Sequence, residues 1–524
     1  MAGEVAKSLK LNRNLSNNLE KAIKLDRAIK IGWGSQGDAK PKDGEIGIAP
    51  HLPKGARIRL LGNLGDFTAA CCNGGSFTLE GNTMGWFGAW NRNGLLVVER
   101  DAGHRCGHGM SEGRIAVLGN VGDEAGSGMS GGTLLIRGHA GRRVGMGMTG
   151  GLIIVVGDCK ADAGQGMSGG RIIVNGRLLP HGEGAKQRSL KAAEHKETVS
   201  MLEEHGMRII QDSAVVEAHP DRPITCKQPE CSTWGDFSGI GLMGSGARLD
   251  GFAPIDTVTL LTRAGEEKGM VVPLPVIPVL ESGKGISGRY LSEQPCLVRN
   301  SPRNIDILLI DEDNITIADA LLPNAGGVCL DLDGLPVVHD GEVNALLTAM
   351  RSHLGDDKPV AIAGRVDSIE AIHRMTNDQA IDAVFIRLAT PAGISAPSTL
   401  PRIGLSARDS GAAESGLTQV LTMPWRTAGS DIAISVAAGC GLVCADPFAD
   451  AENVPSSQKA IAAAVEEWLT DVAAELRGCM ADLGLDSLEA LNRRHLRALD
   501  HDTASQSGLR LAGYDRPLPE WLGQ

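Results

Sequence analysis

Two groups of residues have types and spacings that could serve metal binding or thiol chemistry. They are a His-Cys-His cluster and a set of scattered cysteines. His104, Cys106 and His108 lie within the segment GHRCGHGM, and imidazole and thiolate groups are common zinc ligands. No carboxylate or second cysteine is placed to complete a ligand set, so we expect no metal site. The 11 cysteines include no Cys-x-x-Cys pair, which excludes a zinc ribbon and a thioredoxin motif. We therefore expect buried free thiols.

The composition limits the function classes. The chain has 524 residues, too many for one ordinary core, so two or more domains are expected. Its net charge of −12 argues against a nucleic-acid partner. No apolar stretch reaches the roughly 18 residues of a membrane helix, so we expect a cytoplasmic protein without a membrane partner. The 69 glycines stand beside an aromatic share of only 3%, so some structural element must require glycine.

Much of the glycine belongs to an internal repeat between positions 60 and 180. Two sets of glycines and one set of methionines recur every 19 residues in one register: Gly119, Gly138, Gly157; Gly132, Gly151, Gly170; Met129, Met148, Met167. Each unit holds one short apolar run, such as Leu134–Ile136, which fits a strand and is too short for a helix. Glycine allows positive φ at corners, so the pattern predicts a right-handed parallel β-helix with the methionines stacked as core filler.

The repeat motif resembles a known module. Gly-x-x-x-x-x-x-Gly-x-Gly-Met-x-Gly-Gly occurs at 119–132, 138–151 and 157–170. This motif resembles the GXGXG domain that ends the large subunit of glutamate synthase. The same module occurs in N-methylglutamate synthase-type enzymes and in one of the subunits of formylmethanofuran dehydrogenase. In all of them it is a scaffold beside the catalytic parts, so the resemblance implies a structural role for 61–180.

The second half of the chain changes to alternating short strands and helices. Buried strands are predicted at Asp306–Asp311, Val328–Leu332, Pro359–Gly364, Ala383–Leu388 and Val420–Thr422. A helix with a periodic apolar face is predicted at Asp340–Leu354. Strand–helix alternation predicts a parallel α/β sheet or barrel.

The segment WRTAGSDIAISVAAGCGLVCADP at 425–447 resembles the part of the FMN-binding barrel of glutamate synthase and N-methylglutamate synthase that runs from strand 7 to strand 8. Asp431 matches that family, as do the four residues assigned to a remnant FMN phosphate region: Arg426, Thr427, Gly429 and Gly439. The resemblance covers most of 60–515.

The same segment departs from the family where FMN phosphate is bound. The family's Gly-Gly pair after strand 7 is replaced by Met423-Pro424, and its Gly-Thr-Ala turn after strand 8 by Ala445-Asp446-Pro447. Proline has no N–H to donate, and an aspartate repels phosphate. Cys440 and Cys444 stand alone, so the three-iron cluster of glutamate synthase is absent. We expect no bound cofactor, with FMN kept only in an alternative hypothesis.

Residues 233–447 also leave too little chain for eight complete strand–helix units with the family's insertions. We therefore predict a β + α/β chain: a right-handed parallel β-helix with 19-residue GXGXG repeats, followed by a degenerate, shortened TIM-barrel-like α/β domain. The predicted parts are an N-terminal extension or cap at 1–60, the β-helix at 61–180, a helical connector at 181–232, the barrel-like domain at 233–450 and a C-terminal helical tail at 451–524.

Three hypotheses for the function follow from the resemblance. The first is a scaffold or non-catalytic subunit of a glutamate synthase-like complex that forms glutamate or an N-substituted glutamate. Met1 is followed by Ala2 rather than by a nucleophilic cysteine, so glutamine hydrolysis would fall to a partner. The expected partners are a class II glutaminase subunit and an FMN-barrel subunit, in a hetero-oligomer, and no catalytic residue is assigned to this chain.

The second hypothesis is an active FMN-dependent glutamate synthase-like oxidoreductase with an unusual phosphate site. The third is a scaffold subunit of a formylmethanofuran or formyltransferase-type complex, which rests on the repeats alone. A purely structural alternative, a β-helix packed with an α/β domain and no site, also stays open.

Overall fold

A computed structural model describes residues 2–34, 39–41, 44–203, 205–210, 212–220, 230–244, 248–249, 258–261, 269–336, 339–355, 357–378 and 381–514. Parts of the predicted N-terminal extension, connector, barrel-like domain and C-terminal tail lie outside these residues. The chain forms two compact units. Unit 1 comprises Met1–Gln228, Ile315–Asp319 and His339–His353, and unit 2 comprises Pro229–Asn314, Ala320–Val338 and Leu354–Gln524. No helix in the described part of the chain is long and apolar enough to cross a membrane.

Unit 1 is built around one ten-stranded sheet. The first eight strands follow each other in chain order and pair in parallel, whereas the last two pair antiparallel, giving the order β1 to β8, then β10, then β9. The strands are β1 (Ile29–Ile31), β2 (Arg57–Leu61), β3 (Ser76–Glu80), β4 (Arg92–Val98), β5 (Glu112–Val117), β6 (Ser130–Ile136), β7 (Gly150–Val155), β8 (Arg171–Val174), β9 (Ala185–Ser189) and β10 (Ala214–Ala218). Two helices of this unit are α1 (Ala2–Lys24) and α2 (Ala192–Glu203).

The 19-residue spacing reappears as the register of this sheet. Ile115 pairs with Leu134, Leu134 with Ile153, and Ile153 with Ile172. The spacing predicted a right-handed parallel β-helix, and the strand topology corrects this prediction. The described residues of unit 1 form a ten-stranded sheet that ends in antiparallel pairs. The spacing determines which residues pair, but it does not determine the fold around the paired strands.

The repeat residues occupy the interior and the closest backbone approaches of unit 1. Met129, Met148 and Met167 are buried in its hydrophobic core. Gly132, Gly151 and Gly170 have φ values of +75°, +87° and +78°, which side chains with a Cβ rarely adopt. Cβ atoms added at Gly119, Gly138 and Gly157 would collide with the backbone one repeat earlier.

A ladder of polar side chains runs beside the strands and was not predicted. Each member's side chain accepts a hydrogen bond from the backbone N–H of the residue 19 positions later, at 2.7–3.2 Å. The acceptors are Asn63, Asn82, Asp101, Asn120, His139 and Asp158. The ladder satisfies backbone groups that the apolar strands leave unpaired between repeats.

Helix α1 satisfies backbone groups ahead of the first repeat strand. The Ser8 hydroxyl accepts the N–H of Ile46 at 3.0 Å, and Asn12 Oδ1 accepts the N–H of Ala49 at 2.9 Å. Asn12 Nδ2 donates to the carbonyl of Gly47 at 2.8 Å. Backbone groups at an open edge of a repeat array need hydrogen-bond partners, and α1 supplies the partners that a further repeat would otherwise provide.

Unit 2 contains a closed barrel of eight parallel strands. They are β15 (Val276–Ser282), β16 (Leu297–Asn300), β17 (Ile307–Ile310), β18 (Gly327–Asp331), β19 (Val360–Arg365), β20 (Ala383–Arg387), β22 (Thr418–Met423) and β23 (Leu442–Ala445). The remaining strands, in two-stranded sheets, are β11 (Thr233–Trp234), β12 (Ile240–Leu242), β13 (Val258–Leu261), β14 (Gly269–Val272), β21 (Ile394–Ser395) and β24 (Leu496–Ala498).

The prediction of a degenerate, shortened barrel is wrong. Strand β15 pairs with both β16 and β23, so the sheet closes on itself. The shortage of chain was overestimated because the first two connections, 283–296 and 301–306, contain no helix. The five strands predicted from apolar runs are confirmed as β17 to β20 and β22.

The remaining helices are α3 (Ala318–Leu321), α4 (Asp340–Arg351), α5 (Ile369–Asp378), α6 (Ala396–Asp409), α7 (Gly429–Ala437), α8 (Gln458–Leu483) and α9 (His501–Ser507). The helix predicted at Asp340–Leu354 corresponds to α4, whose residues belong to unit 1. Helix α7 packs against α8 in unit 2.

Candidate functional site

The carboxyl-terminal end of the barrel carries a ring of polar side chains. Side chains alternate along a strand, so the residue two positions after a buried interior residue also faces the barrel axis. Interior residues such as Leu309, Cys329, Ala363 and Phe385 form the apolar core. Two positions beyond the last interior residue of each strand lie the members of what we call the mouth ring: Glu281, Arg299, Asp311, Asp331, Arg365, Arg387, Thr422 and Asp446.

Ion pairs link much of the mouth ring. Arg387 binds both carboxylate oxygens of Asp331, with Nη1 to Oδ1 at 2.8 Å and Nη2 to Oδ2 at 2.6 Å. Arg387 Nη1 also donates to Asp333 Oδ2 at 2.7 Å. Arg299 pairs with Asp311 at 2.7 Å. This geometry holds the charged groups in fixed positions at the end of a barrel where TIM-barrel enzymes carry their active sites.

Asp333 is a partly buried carboxylate that lies beside two guanidinium groups, those of Arg365 and Arg387. Burial raises the pKa of Asp333 above its ordinary value, although the charges of Arg387 and Arg365 oppose the rise. For Arg387 burial acts to lower the pKa, but the hydrogen bond and charge of Asp331 outweigh burial and raise it. Burial and the two adjacent guanidinium groups therefore act on the pKa of the Asp333 carboxyl group in opposite directions.

Local sequence explains how these side chains reach the mouth. In DILLID, VCLD, AIAGR and VFIR an apolar strand runs directly into a charged residue. The apolar part is buried on both faces, and the charge is placed where the strand leaves the core. Sequence reasoning predicted these strands but missed the charges at their ends, which were the available signal.

The residues predicted as a remnant phosphate region are only partly brought together. Arg426, Thr427 and Gly429 follow β22 directly, and Gly429 is the first residue of α7. Gly439 lies beyond the last residue of α7, so a helix of nine residues separates it from the other three. That helix spans about 13 Å at about 1.5 Å per residue, so Gly439 lies at the opposite end of α7 from the other three.

The backbone amides of this loop already have carboxylate acceptors. The N–H of Gly429 donates to Glu475 Oε2 at 3.1 Å, and the Ser430 hydroxyl donates to Glu475 Oε1 at 3.0 Å. The N–H of Ala428 donates to Asp431 Oδ2 at 3.0 Å. These amides lie at the amino end of α7, where the helix dipole favours an anion, and the protein supplies that anion itself.

A backbone amide in the loop after β23 also has a carboxylate acceptor, because the N–H of Phe448 donates to Asp446 Oδ1 at 2.8 Å. A TIM barrel holds a flavin phosphate with free amides from the loops after its seventh and eighth strands. In this chain those loops carry carboxylates on their amides, so the residues present do not fit an FMN phosphate. Arg426 is exposed and makes no hydrogen bond or ion pair within the described residues, so it is the loop's available cation.

The His-Cys-His cluster lies in unit 1 and its members point to different partners. His104 Nε2 contacts Glu342, and this hydrogen bond raises the pKa of His104. His108 Nδ1 lies 2.7 Å from the hydroxyl of Ser127, and burial raises the pKa of Cys106 to about 12. Across the described ranges, no group of three or more His, Cys, Asp or Glu side chains could hold a metal ion.

Comparisons with known proteins were made for family, sequence and structure. No family model matches the chain, and no curated protein matches it. The glutamate synthase resemblance therefore rests on the residues of this chain alone.

Among solved structures, the recombinant flavin-binding domain of baker's yeast flavocytochrome b2 is 13% identical, with a TM-score of 0.39, covering 53% of this chain and 80% of that one. A mandelate oxidase mutant with a monooxide FMN adduct is 14% identical, with a TM-score of 0.34, covering 50% and 88%. A soluble mutant of (S)-mandelate dehydrogenase from Pseudomonas putida is 13% identical, with a TM-score of 0.33 and the same coverage. Likeness at these TM-scores carries no argument about the activity of this chain.

Proposed function

We propose that this chain is an amino-acid-binding barrel subunit of a glutamate synthase-like complex, with the mouth ring as its ligand site. The observation that carries the proposal is the placement of one polar side chain from each of the eight barrel strands at the carboxyl end of the barrel. Catalytic and binding residues of TIM barrels come from the ends of several strands. The membership in a glutamate synthase-like complex is supported by the repeat motif of unit 1.

The charges of the ring favour a ligand that carries an ammonium group. The ring holds four carboxylates and three guanidinium groups, and the adjacent Asp333 adds a fifth carboxylate. A dianion such as 2-oxoglutarate would meet this excess of negative charge, whereas an α-amino acid brings a cation as well as an anion. Asp333 Oδ2 accepts a hydrogen bond from Arg387 at 2.7 Å, whereas Asp333 Oδ1 lies 3.8 Å from Arg365 Nε, beyond hydrogen-bond distance. Asp333 Oδ1 is therefore the oxygen that we expect to receive the ammonium group.

Calorimetric titration of the full chain with L-glutamate and with 2-oxoglutarate tests this proposal. We expect L-glutamate to bind more tightly, and Asp333→Asn to weaken L-glutamate at least tenfold, about 1.4 kcal/mol, while 2-oxoglutarate is unaffected. Asp367→Asn is the matched control, because Asp367 also pairs with Arg365, whereas Asp333 lies between Arg365 and Arg387. Tighter binding of 2-oxoglutarate, or equal losses in both variants, would contradict the proposal.

The partners remain part of the proposal. A class II glutaminase subunit would supply ammonia and a separate FMN-barrel subunit would carry out reduction, in a hetero-oligomer that this chain helps to organise. Affinity purification of the tagged full chain from its own cells tests the assembly. A glutaminase in the eluate supports it, and a chain that elutes alone contradicts it.

A second candidate function is an FMN-dependent oxidoreductase. It is favoured by Arg426, an unpaired cation at the end of β22 within the described residues, and by the complete barrel. When bound, FMN would supply hydride transfer. The absorption spectrum of the purified chain decides between the candidates, because bound flavin absorbs at about 450 nm. A colourless protein after incubation with FMN would exclude this candidate.

A further inference from the structure

Helix α8 packs on the loop after β22, the seventh barrel strand, and in TIM barrels the loops after the seventh and eighth strands commonly bind phosphate. An added Cβ at Gly429 would overlap the backbone of Leu476, so the first turn of α7 packs directly on α8. Trp468, also on α8, donates from Nε1 to the carbonyl of Thr427 at 3.0 Å and is buried. The loop after β22 is therefore covered as well as hydrogen-bonded.

Negative charge accumulates around this covered loop. Glu475 from α8 and Asp431 from α7 each accept a loop N–H, and the Trp425 indole N–H donates to Asp431 Oδ2 at 3.2 Å. Burial raises the pKa of Asp431, and the nearby charges of Asp236 and Glu475 raise it further. Several carboxylates within one partly buried loop repel a phosphate, which carries close to two negative charges at neutral pH.

We infer that the chain's own carboxylates, chiefly Glu475 and Asp446, occupy the amide donors of the phosphate position, so that the barrel does not recognise the phosphate of a flavin nucleotide. Glu475 serves the loop after β22, and Asp446 serves the loop after β23. Each carboxylate accepts a backbone N–H that a bound phosphate would otherwise use as a donor. These hydrogen bonds are made within the chain, so the inference holds whichever ligand binds to the mouth ring.

The test compares FMN with riboflavin, which differ only in the phosphate. Flavin fluorescence is titrated with the full-length protein, with Glu475→Ala combined with Asp446→Ala, and with Glu466→Ala. The alanine substitutions remove the charge together with the acceptor oxygens, so the N–H groups of Gly429 and Phe448 become available as donors. Glu466 is a matched control, because it also lies on α8 and accepts backbone N–H groups, those of Tyr290 and Leu291.

We expect neither the unmodified chain nor Glu466→Ala to prefer FMN over riboflavin, whether or not either flavin binds. The double variant should gain a preference of at least tenfold for FMN. A tenfold preference for FMN in the unmodified chain would overturn the inference and would support the second candidate function. A double variant that still ignores the phosphate would also overturn it, since the carboxylates would then not be the cause. Failure of L-glutamate to bind leaves these outcomes unchanged, so the two proposals fail separately.

Discussion

Arg387 is the residue whose removal should most damage the barrel mouth. Its guanidinium group makes two hydrogen bonds to Asp331 and one to Asp333, and the Asp331 side chain is only 6% exposed. Replacing Arg387 with glutamine leaves Asp331 buried without its cation. Removal of one partner from a buried ion pair costs about 3–5 kcal/mol, so we expect the Arg387→Gln variant to lose about that much stability.

The assay is thermal unfolding of the full chain by calorimetry, with hydrogen exchange at the peptides of β18 and β20 to assign the transition to unit 2. In a unit of this size about 1 kcal/mol corresponds to about 2–4 °C, so the midpoint should fall by about 10 °C. The control is Arg402→Gln, because Arg402 pairs with Glu370 at an exposed position. An exposed pair contributes about 0–1 kcal/mol.

A double variant distinguishes the cost of leaving Asp331 without its cation from general damage to the fold. If Asp331→Asn is added to Arg387→Gln, the buried Asp331 carboxylate that has lost its cation is removed, and part of the lost stability should return. The reasoning would be refuted if Arg387→Gln were no more destabilising than Arg402→Gln, or if the second substitution added its full cost. Either result would mean that the mouth ring is solvated and that its pairs do not fix the site.

Three further predictions concern unit 1. Burial, with a smaller contribution from the charge of His51, lowers the pKa of His353 from 6.5 to about 3. Between these two pH values the unfolded chain binds a proton that the folded chain does not, so the free energy of unfolding should fall by a few kcal/mol as the pH drops from 6.5 to about 3. His353→Gln should make this pH dependence shallower in urea titrations at several pH values. Asn120→Ala removes the acceptor for one backbone N–H and should cost about 1 kcal/mol in chemical denaturation, whereas Asn120→Asp should cost little. Gly132→Ala should lower the thermal midpoint more than Gly147→Ala does. Both glycines have a positive φ, at which an alanine costs about 1–2 kcal/mol, but only the Cβ added at Gly132 would collide with neighbouring atoms. Equal losses would contradict this prediction.

The sequence predicted those features that depend on local pattern. The spacing of Gly119, Gly138 and Gly157 corresponds directly to the register of unit 1, because residues one repeat apart must lie side by side. The same spacing could not reveal the antiparallel end of the sheet, since β9 and β10 lie outside the repeat. The polar ladder that includes Asn120 was visible at the same spacing, but its residue types vary and it was overlooked.

The site depended on contacts that are distant in sequence. Apolar runs predicted barrel strands such as β18, yet closure of the barrel depends on pairing between β15 and β23 and could not be read from either strand. The absence of small residues directly after β22 was readable at Met423-Pro424. The occupation of the loop by Glu475 was not, because that residue lies 46 positions after Gly429 and on another helix.

The most direct test of the central claim is a crystal structure of the full chain grown with L-glutamate at a concentration that saturates the calorimetric signal. We expect electron density for the ligand at the barrel mouth, with its ammonium group against Asp333 and no ligand density in the loop beside Glu475. An empty mouth ring in crystals of the saturated protein, or density for the ligand elsewhere on the chain, would contradict the assignment of the mouth ring as the ligand site.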